Sequence, residues 1–579
     1  MWSGDWRDRL WSRLSEPWDL LVIGGGITGA GILAEATGMG LRALLVEQHD
    51  FAWGTSSRSS KLVHGGLRYL SSGQLQLTRR AVREREALLR EAPGLVSSLG
   101  FLLATYHGER PGRWTYSAGL SLYELLAGRW DYRRYEAEDF LGLAPHIARE
   151  RLEGGFRFGD AQTDDARLVL RLLREAVSAG GAALNYVRAE ELLREQGEVC
   201  GARLRDARSG RTAEVRARVV VNATGAWADR LRAQVGGTAR MRALRGSHLI
   251  FPAWRLPLAQ AFSFLHPVDR RPVFAFPWEG VTLVGTTDVD HADSLDAEPR
   301  ISGAEVAYLM RALDAYFPSL GLETSDVLST FAGVRPVIGG SAADPSCESR
   351  DHAVWSEEGL LTVAGGKLTT FRPIAREVLL AARHRLPEFK AQRAERPALT
   401  PGPVELPGAE RLESAARLLG RYGAEAAALL AAALPEELEP IPGTPVLWAE
   451  LRWCARAEGV VHLDDLLLRR VRLGLLLPEG GRQLLPSLRA LCQPELGWDD
   501  ARWEAEEERY LALWRKHYSL PAPGSIPEWR GPISDSAPAA TPAEVSRYPI
   551  GARGAVGIGT VALASVLLLH RLRTAYGSR

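Results

Sequence analysis

WDLLVIGGGITGAGILAEATGMGLRALLVE, Trp18 to Glu47, is the stretch that decides the fold. An apolar run, Leu20–Ile23, leads into Gly24-Gly25-Gly26-Ile27-Thr28-Gly29. A small-residue helix follows to about Gly40, and a second apolar run, Ala43–Val46, ends on Glu47. This order is strand, glycine turn, helix, strand. In such a unit Gly24 allows the tight turn, Gly26 lets the backbone approach a pyrophosphate, and Gly29 lets helix pack on strand. The helix N-terminus offers unpaired N–H groups and partial positive charge to that pyrophosphate. Glu47 falls about 20 residues on, where a carboxylate accepts hydrogen bonds from a ribose. The segment predicts an α/β, Rossmann-like domain holding a dinucleotide.

Outward from this unit, 579 residues suffice for a large core and more than one domain. A formal net charge of +1 gives no electrostatic reason to expect nucleic acid as partner. Cys200, Cys347, Cys454 and Cys492 are scattered without a CxxC pair. That spacing argues against a disulfide framework and against zinc or iron–sulfur ligation, so no metal is expected.

At the N-terminus, Trp2, Trp6, Leu10 and Leu14 recur every four residues, with Trp11 and Arg7, Arg9 and Arg13 among them. The pattern predicts an amphipathic extension over residues 1–17, either lying in a bilayer interface or docked on its own protein. Residues 48–70 are loop-like, and 75–92 predict a charged, exposed helix. A βα pattern returns at 164–222, with a helix Asp165–Ala179, a ribbon near 184–216 and a strand Val219–Asn222. Short apolar runs between 240 and 330 predict an antiparallel sheet, and helix resumes after Gly366. A Pro-rich break, Pro397 to Pro407, opens a helical region over 396–518. Residues 519–547 read as a linker. In the tail 548–579, Gly554–Leu569 carries no charge and is flanked by Arg547, Arg553, His570, Arg571 and Arg573. It falls just short of the roughly 20 apolar residues of a spanning helix; membrane contact is expected, with burial in protein as the alternative.

The segment TSSRSSKLVHGGLRYL, Thr55–Leu70, combines hydroxyls, glycines, a histidine and cations, which suits a polar cofactor or an anion. With it go DAQTDDARLVL (Asp160–Leu170), VNATGAWAD (Val221–Asp229), RGSH (Arg245–His248), GTTD (Gly285–Asp288), GVRP (Gly333–Pro336), AGGKLTTFR (Ala364–Arg372) and EGVVHLDDLLLRRVRLG (Glu458–Gly474). In order and spacing, over about 18–515, the chain resembles the FAD-dependent, aerobic respiratory glycerol-3-phosphate dehydrogenases.

The resemblance implies a Rossmann-like FAD-binding domain of the glutathione-reductase/amino-acid-oxidase type over 18–395. An antiparallel-sheet substrate domain (about 91–155 and 240–330) interleaves with it, and a C-terminal helical domain follows. It implies non-covalent FAD with Gly24, Gly26 and Gly29 at the pyrophosphate and Glu47 at the ribose. Ser56, Ser57 and Ser60 supply side-chain contacts, and His64 and Gly65 are cofactor contacts rather than a base. Asn222–Gly225 lies beside the cofactor, and Gly365, Gly366, Lys367, Leu368 and Thr369 meet the flavin ring. A helix N-terminus there favours negative charge on the reduced ring.

A phosphoester demands fixed cations, for which arginine geometry is well suited. The family pattern carries Arg68, Tyr69 and Arg335 into that role. Removing hydride from a secondary alcohol also needs a proton acceptor; His248 is the first candidate and Lys367 the second. The implied activity is oxidation of sn-glycerol 3-phosphate to dihydroxyacetone phosphate, with electrons passing to a membrane quinone. The implied location is the cytoplasmic side of the inner membrane, peripheral or anchored by the tail. A homodimer is left open. The alternatives are a soluble oxidase using oxygen and a non-catalytic flavin-binding membrane protein.

Overall fold

The computed structural model describes residues 2, 4–67, 75–128, 131–339, 351–387, 399–400, 406 and 414–530. The expectations for Arg68, Tyr69 and the apolar tail 548–579 fall outside these residues.

The apolar runs become a mostly parallel sheet. Its main path runs Ala353–Glu357, Leu360–Ala364, Thr212–Asn222, Trp18–Ile23, Ala43–Val46, Ala182–Leu184. Val22 lies level with Val221 on one side and Leu45 on the other. Leu20, Leu21 and Val22 are wholly buried, as continuous apolar strands are when both sheet faces are covered. The helix Ile27–Gly38 packs against the helices Asp165–Ser178 and Phe371–Ala382. Val187–Glu195 and Glu198–Asp206 form the expected ribbon, which leads into Thr212–Asn222.

A second sheet has ten strands among the described residues and is almost entirely antiparallel; its one parallel pair joins Ala261–Leu265 to Val96–Tyr106. It draws strands from Leu62–Val63 through Ser329–Ile338, a wider span than 91–155 and 240–330. Met241–Pro252 pairs with Ser329–Ile338 so that His248 faces Phe331, Gly246 faces Gly333 and Leu244 faces Arg335. Because strand residues alternate faces, His248 and Gly246 share a face with Phe331, Gly333 and Arg335. The C-terminal helices, from Ala415–Tyr422 to Asp500–His517, close over a core that includes Leu451, Leu466, Trp503 and Tyr510.

Charge joins these parts. Arg167 forks both carboxylate oxygens of Glu458, and Asp50 receives Arg470 through two nitrogens at 2.6 and 2.9 Å and Arg469 at 2.6 Å. Asp164 binds Arg472 at 3.0 Å and Arg421 at 3.0 Å, while Lys61 pairs with Asp165 at 2.9 Å. All of these side chains are buried. Burial pushes the Glu458 carboxyl up, but the Arg167 guanidinium outweighs it and holds the group down at about 2.

One open alternative is decided and two expectations change. The N-terminal extension is docked, and only Trp6–Trp11 is helical. Trp2 stacks on Phe51 at 4.9 Å, Arg174 caps the Trp2 ring at 5.3 Å, and Arg7 reaches Asn185 and Asp206. Burying an indole of roughly 200 Å² at about 25 cal/mol per Å² is worth on the order of 5 kcal/mol, which a bilayer interface would have to repay. The charged helix, Leu75–Glu91, is half embedded, because Arg85 turns inward to Asp160 (2.9 Å) and the Tyr123 hydroxyl (3.0 Å). The start of the expected linker is fastened as well. Thr330 N donates to Tyr518 O at 2.7 Å, and Leu520, Ile526 and Trp529 pack on an apolar core of the antiparallel sheet.

Arg167→Met strands Glu458 in the interior, a loss of about 3–5 kcal/mol. It is expected to lower the urea midpoint of the holoenzyme at pH 7. Glu458's contribution is complete above its unfolded value near 4.5 and lost as pH falls through about 2, so the gap to wild type narrows across that window. An unshifted midpoint at pH 7 would contradict the role given to this pair.

Candidate active site

A cavity of about 340 Å³ opens beyond the carboxyl ends of Trp18–Ile23, Ala43–Val46, Thr212–Asn222 and Leu360–Ala364, and reaches the face of the antiparallel sheet. Crevices at the carboxyl ends of parallel strands are where such folds bind ligands. At one end stand Glu47, Arg188 and Glu190; at the other, His248 and Arg335.

The glycine elbow forms the near wall. Gly24 has φ +117, and a Cβ there would come 2.4 Å from Ala223 O. A Cβ on Gly29 would sit 1.9 Å from Gly24 O, so helix and turn touch only because both residues lack side chains. Gly26 is the N-cap of the helix Ile27–Gly38 and caps it with no side chain, so the helix's opening turn lies against the cavity. Ser56 Oγ accepts from Ile27 N at 2.9 Å and fastens the following loop to that turn. Glu47 accepts from Gly25 N at 2.7 Å and His49 N at 2.9 Å. Burial raises its carboxyl above the usual range against the pull of those two N–H groups, and hydroxyl donors from a ribose would relieve that cost. A second helix entrance faces the same space: Gly365 and Gly366 turn the chain, Leu368–Thr370 makes a tight 3₁₀ turn and Phe371–Ala382 continues it.

The far wall is the paired face of the two sheet strands. His248 Nε2 lies 2.9 Å from Ser60 Oγ, and the ring stacks on Phe331 at 4.5 Å with a 9° tilt. Burial lowers its pKa to about 3, helped by the charges of Lys61 and Arg335. His248 is therefore a neutral imidazole across ordinary pH, its titration far below the near-neutral range that its residue type suggests. Arg335 approaches Asp288 at 3.5 Å. It stands four residues along its strand from the level of His248, roughly 14 Å of backbone.

Of the residues singled out in the sequence, Gly24, Gly26, Glu47, Ser56, Ser60, His64, Gly225, His248, Arg335, Gly365, Gly366, Lys367, Leu368 and Thr369 border this one cavity. The others among the described residues stand behind its wall. Gly29 seats helix on turn, and Ser57 offers its carbonyl to Lys61 at 3.1 Å. Gly65 N donates to the Tyr123 hydroxyl at 3.0 Å. Asn222 donates to Ala228 O at 2.9 Å and accepts from Thr224 Oγ1 at 2.7 Å. Sequence reasoning missed Arg58, whose guanidinium binds Glu298 beside the Tyr518 hydroxyl. It also missed the aromatic side of the cavity, where His49 stacks on Trp53 at 4.1 Å and Trp53 meets Trp227 at 5.9 Å. The tryptophans were visible beside TSSRSS and within VNATGAWAD, but neither motif says which way an indole turns.

A glycine turn that a single Cβ would force apart, a buried carboxylate at the end of the next strand and two helix entrances on one crevice fit FAD. Together with the histidine-bearing sheet, they define a flavin-dependent oxidoreductase. Residues 19–372 match the family described as FAD dependent oxidoreductase, and 391–503 match the C-terminal domain of alpha-glycerophosphate oxidase. Aerobic glycerol-3-phosphate dehydrogenase of Bacillus subtilis is 39% identical over 389 residues, 66% of this chain and 70% of that protein. Glycerol-3-phosphate dehydrogenase 2 of Mycobacterium tuberculosis is 36% identical over 533 residues, 87% of this chain and 89% of that protein. The crystal structure of the Bacillus halodurans glycerol-3-phosphate dehydrogenase complexed with FAD matches with a TM-score of 0.72 at 29% identity, covering 89% of this chain and 98% of that one. L-alpha-glycerophosphate oxidase from Mycoplasma pneumoniae shares the fold at 18% identity and a TM-score of 0.52, over 65% of this chain and 96% of that one. The chain belongs to the FAD-dependent glycerol-3-phosphate dehydrogenase family, and its cofactor is FAD.

Gly24→Ala places a methyl against the Ala223 carbonyl at a φ that L-residues rarely adopt. Purified Gly24→Ala protein is expected to lose most of its flavin, read as the ratio of flavin to protein absorbance. Wild-type flavin content in that variant would contradict the cradle.

Proposed function

We propose that this enzyme oxidises sn-glycerol 3-phosphate to dihydroxyacetone phosphate and passes the electrons to a membrane quinone. The observation that carries the reading is the shared face on which His248 and Arg335 stand at one end of the FAD crevice. Relatives that match over most of this chain are named for that substrate.

FAD, when bound, supplies the hydride acceptor for C2 of the substrate. The protein supplies the rest. Arg335 grips the phosphate, with Arg68 and Tyr69 of the same motif pattern assigned to assist it. The C2 hydroxyl proton passes to Ser60 Oγ as the serine's own proton passes to His248 Nε2, 2.9 Å away. The C2–H electron pair leaves with the hydride and the ketone forms. His248 is a weak base in its buried setting, yet the hydroxyl becomes strongly acidic as hydride departs. The phosphate dianion near Arg335 also offsets the cationic field that depresses the imidazole. Lys367, ahead of the 3₁₀ turn, supplies positive charge where the ring gains negative charge.

The quinone assignment draws on an apolar surface stripe. On the helix Arg113–Ala127, Trp114 is 76% exposed, Leu125 58% and Leu122 37%. These positions follow one another along one helix face, and an exposed tryptophan beside Arg113 suits a lipid headgroup boundary. Residues 548–579 are proposed as a second membrane contact. Oxygen is the second reading for the acceptor, favoured by the oxidase-type C-terminal domain match.

After anaerobic reduction by substrate, reoxidation by a short-chain quinone is expected to outrun reoxidation by oxygen, with little peroxide released. Stoichiometric peroxide would favour the oxidase. Arg335→Ala is expected to raise KM by tenfold or more while flavin content stays at wild type; normal saturation at low substrate would remove Arg335 from the phosphate site. His248→Asn is expected to slow flavin reduction at saturating substrate by about 10²-fold, and a wild-type rate would remove His248 from proton transfer.

A further inference from the structure

We propose that Asp165, clamped by Arg472 of the C-terminal helical region, is a positioning residue that holds Ser60 against His248. The proposal rests on His248 as the proton acceptor.

Asp165 is wholly buried at the start of the helix Asp165–Ser178. The ordinary task of an aspartate at a helix start is capping, but Asp164 already performs it by accepting from Arg167 N at 3.1 Å. Asp165 accepts from its own helix only at Ala166 N, 3.0 Å away, and gives its other bonds to the flavin loop and to Arg472. Its Oδ2 accepts from Ser59 N at 2.9 Å and Ser59 Oγ at 2.7 Å. Its Oδ1 accepts from Lys61 Nζ at 2.9 Å and from Arg472 Nη2. The residues on both sides of Ser60 are thus gripped by one carboxylate.

Two short routes lead on to the imidazole. Ser60 Oγ is 2.9 Å from His248 Nε2. Lys61 Nζ lies 4.7 Å from the Phe331 ring, on which His248 stacks at 4.5 Å. The same cations fasten the loop backbone, since Lys61 Nζ and Arg472 Nη1 donate to Ser57 O at 3.1 and 3.3 Å. Arg472 is anchored independently on Asp164 at 3.0 Å and on Leu468 O at 2.6 Å. The helical region, more than 400 residues along the chain from Ser60, therefore reaches the proton-transfer pair through one carboxylate.

Ser60→Ala, Asp165→Asn and the double variant test this as a cycle in FAD-loaded enzyme. The readouts are flavin content, apparent substrate affinity and the anaerobic rate of flavin reduction at saturating glycerol 3-phosphate. Each single change is expected to slow reduction by about tenfold or more, with flavin content and affinity within about twofold of wild type. The double variant is expected to be no slower than the slower single, within about twofold, because Asp165 acts through Ser60. Multiplying effects, a wild-type rate in Asp165→Asn, or loss of flavin in step with loss of rate would overturn the proposal.

If Asp165→Asn yields no soluble enzyme, Ser59→Ala replaces it, since it removes a ligand of Asp165 without unpairing a buried charge. It is expected to slow reduction about threefold or more alone and not further in the Ser60→Ala background; a wild-type rate overturns the proposal equally. A slow His248→Asn enzyme combined with a multiplying cycle defeats this inference alone, whereas a fast His248→Asn enzyme defeats the reading beneath it.

Discussion

The buried ion seam is the constraint on which the structure rests. Asp50, Asp164, Asp165 and Glu458 meet Lys61, Arg167, Arg421, Arg469, Arg470 and Arg472 where solvent scarcely reaches. Desolvating each ion costs several kcal/mol, so such a seam persists only where every charge finds a partner with good geometry. Here the carboxylates receive two or more donors, and the arginines also satisfy backbone carbonyls, as when Arg470 reaches Glu458 O at 2.9 Å. The outcome is register more than net stability. Three segments distant in sequence, near residues 50–61, 164–167 and 458–472, dock in one arrangement.

That arrangement gives the crevice its shape. The parallel sheet ends on glycine turns and helix entrances, which provide an anion cradle whose donors are fixed backbone groups. The antiparallel sheet contributes side chains from two adjacent strands, so their spacing follows from β register and not from loop conformation. Gly246 and Gly333, between His248 and Arg335, let Thr286 and the Arg58 backbone pack against the strands, where a Cβ would come within 2.6 and 2.4 Å of them. Between the two walls runs the loop Thr55–Lys61, tied to the cradle by Ser56, to the sheet by Thr55 Oγ1 on Val334 O at 2.5 Å, and to the ion seam by Lys61. One short segment thus couples the cofactor's cradle, the wall that carries His248 and the C-terminal helices.

What the sequence revealed and what it hid divide by range. The strand–glycine–helix unit was legible because its logic is local: apolar runs, glycines at fixed offsets and a carboxylate at the next strand's end. The elements over 164–222 and the helix after Gly366 were legible for the same reason, whereas the individual strands and helices between Val96 and Thr163 and the helix Gly303–Tyr316 were not read. The partners of charged side chains were not. Arg85 sits in a run of charges that reads as solvated, yet it turns inward because Asp160 waits on a strand 75 residues away. Arg469 and Arg470 lie in the motif Glu458–Gly474, which does not reveal their partner, Asp50. Trp2 and Trp6 suit a bilayer equally well until Phe51 and Arg174 are seen beneath and above them. His248 was recognisable as a candidate, but its depressed pKa comes from burial and from Lys61 and Arg335, which no periodicity brings together.

The most direct measurement is the anaerobic rate of flavin bleaching by sn-glycerol 3-phosphate carrying deuterium in place of hydrogen at C2. With the C2–H bond directed at FAD and proton removal held by Ser60 and His248, bleaching at saturating substrate is expected to occur and to slow several-fold on deuteration. A flavin that stays oxidised with excess substrate, or bleaches without regard to the isotope, would contradict hydride removal in this crevice.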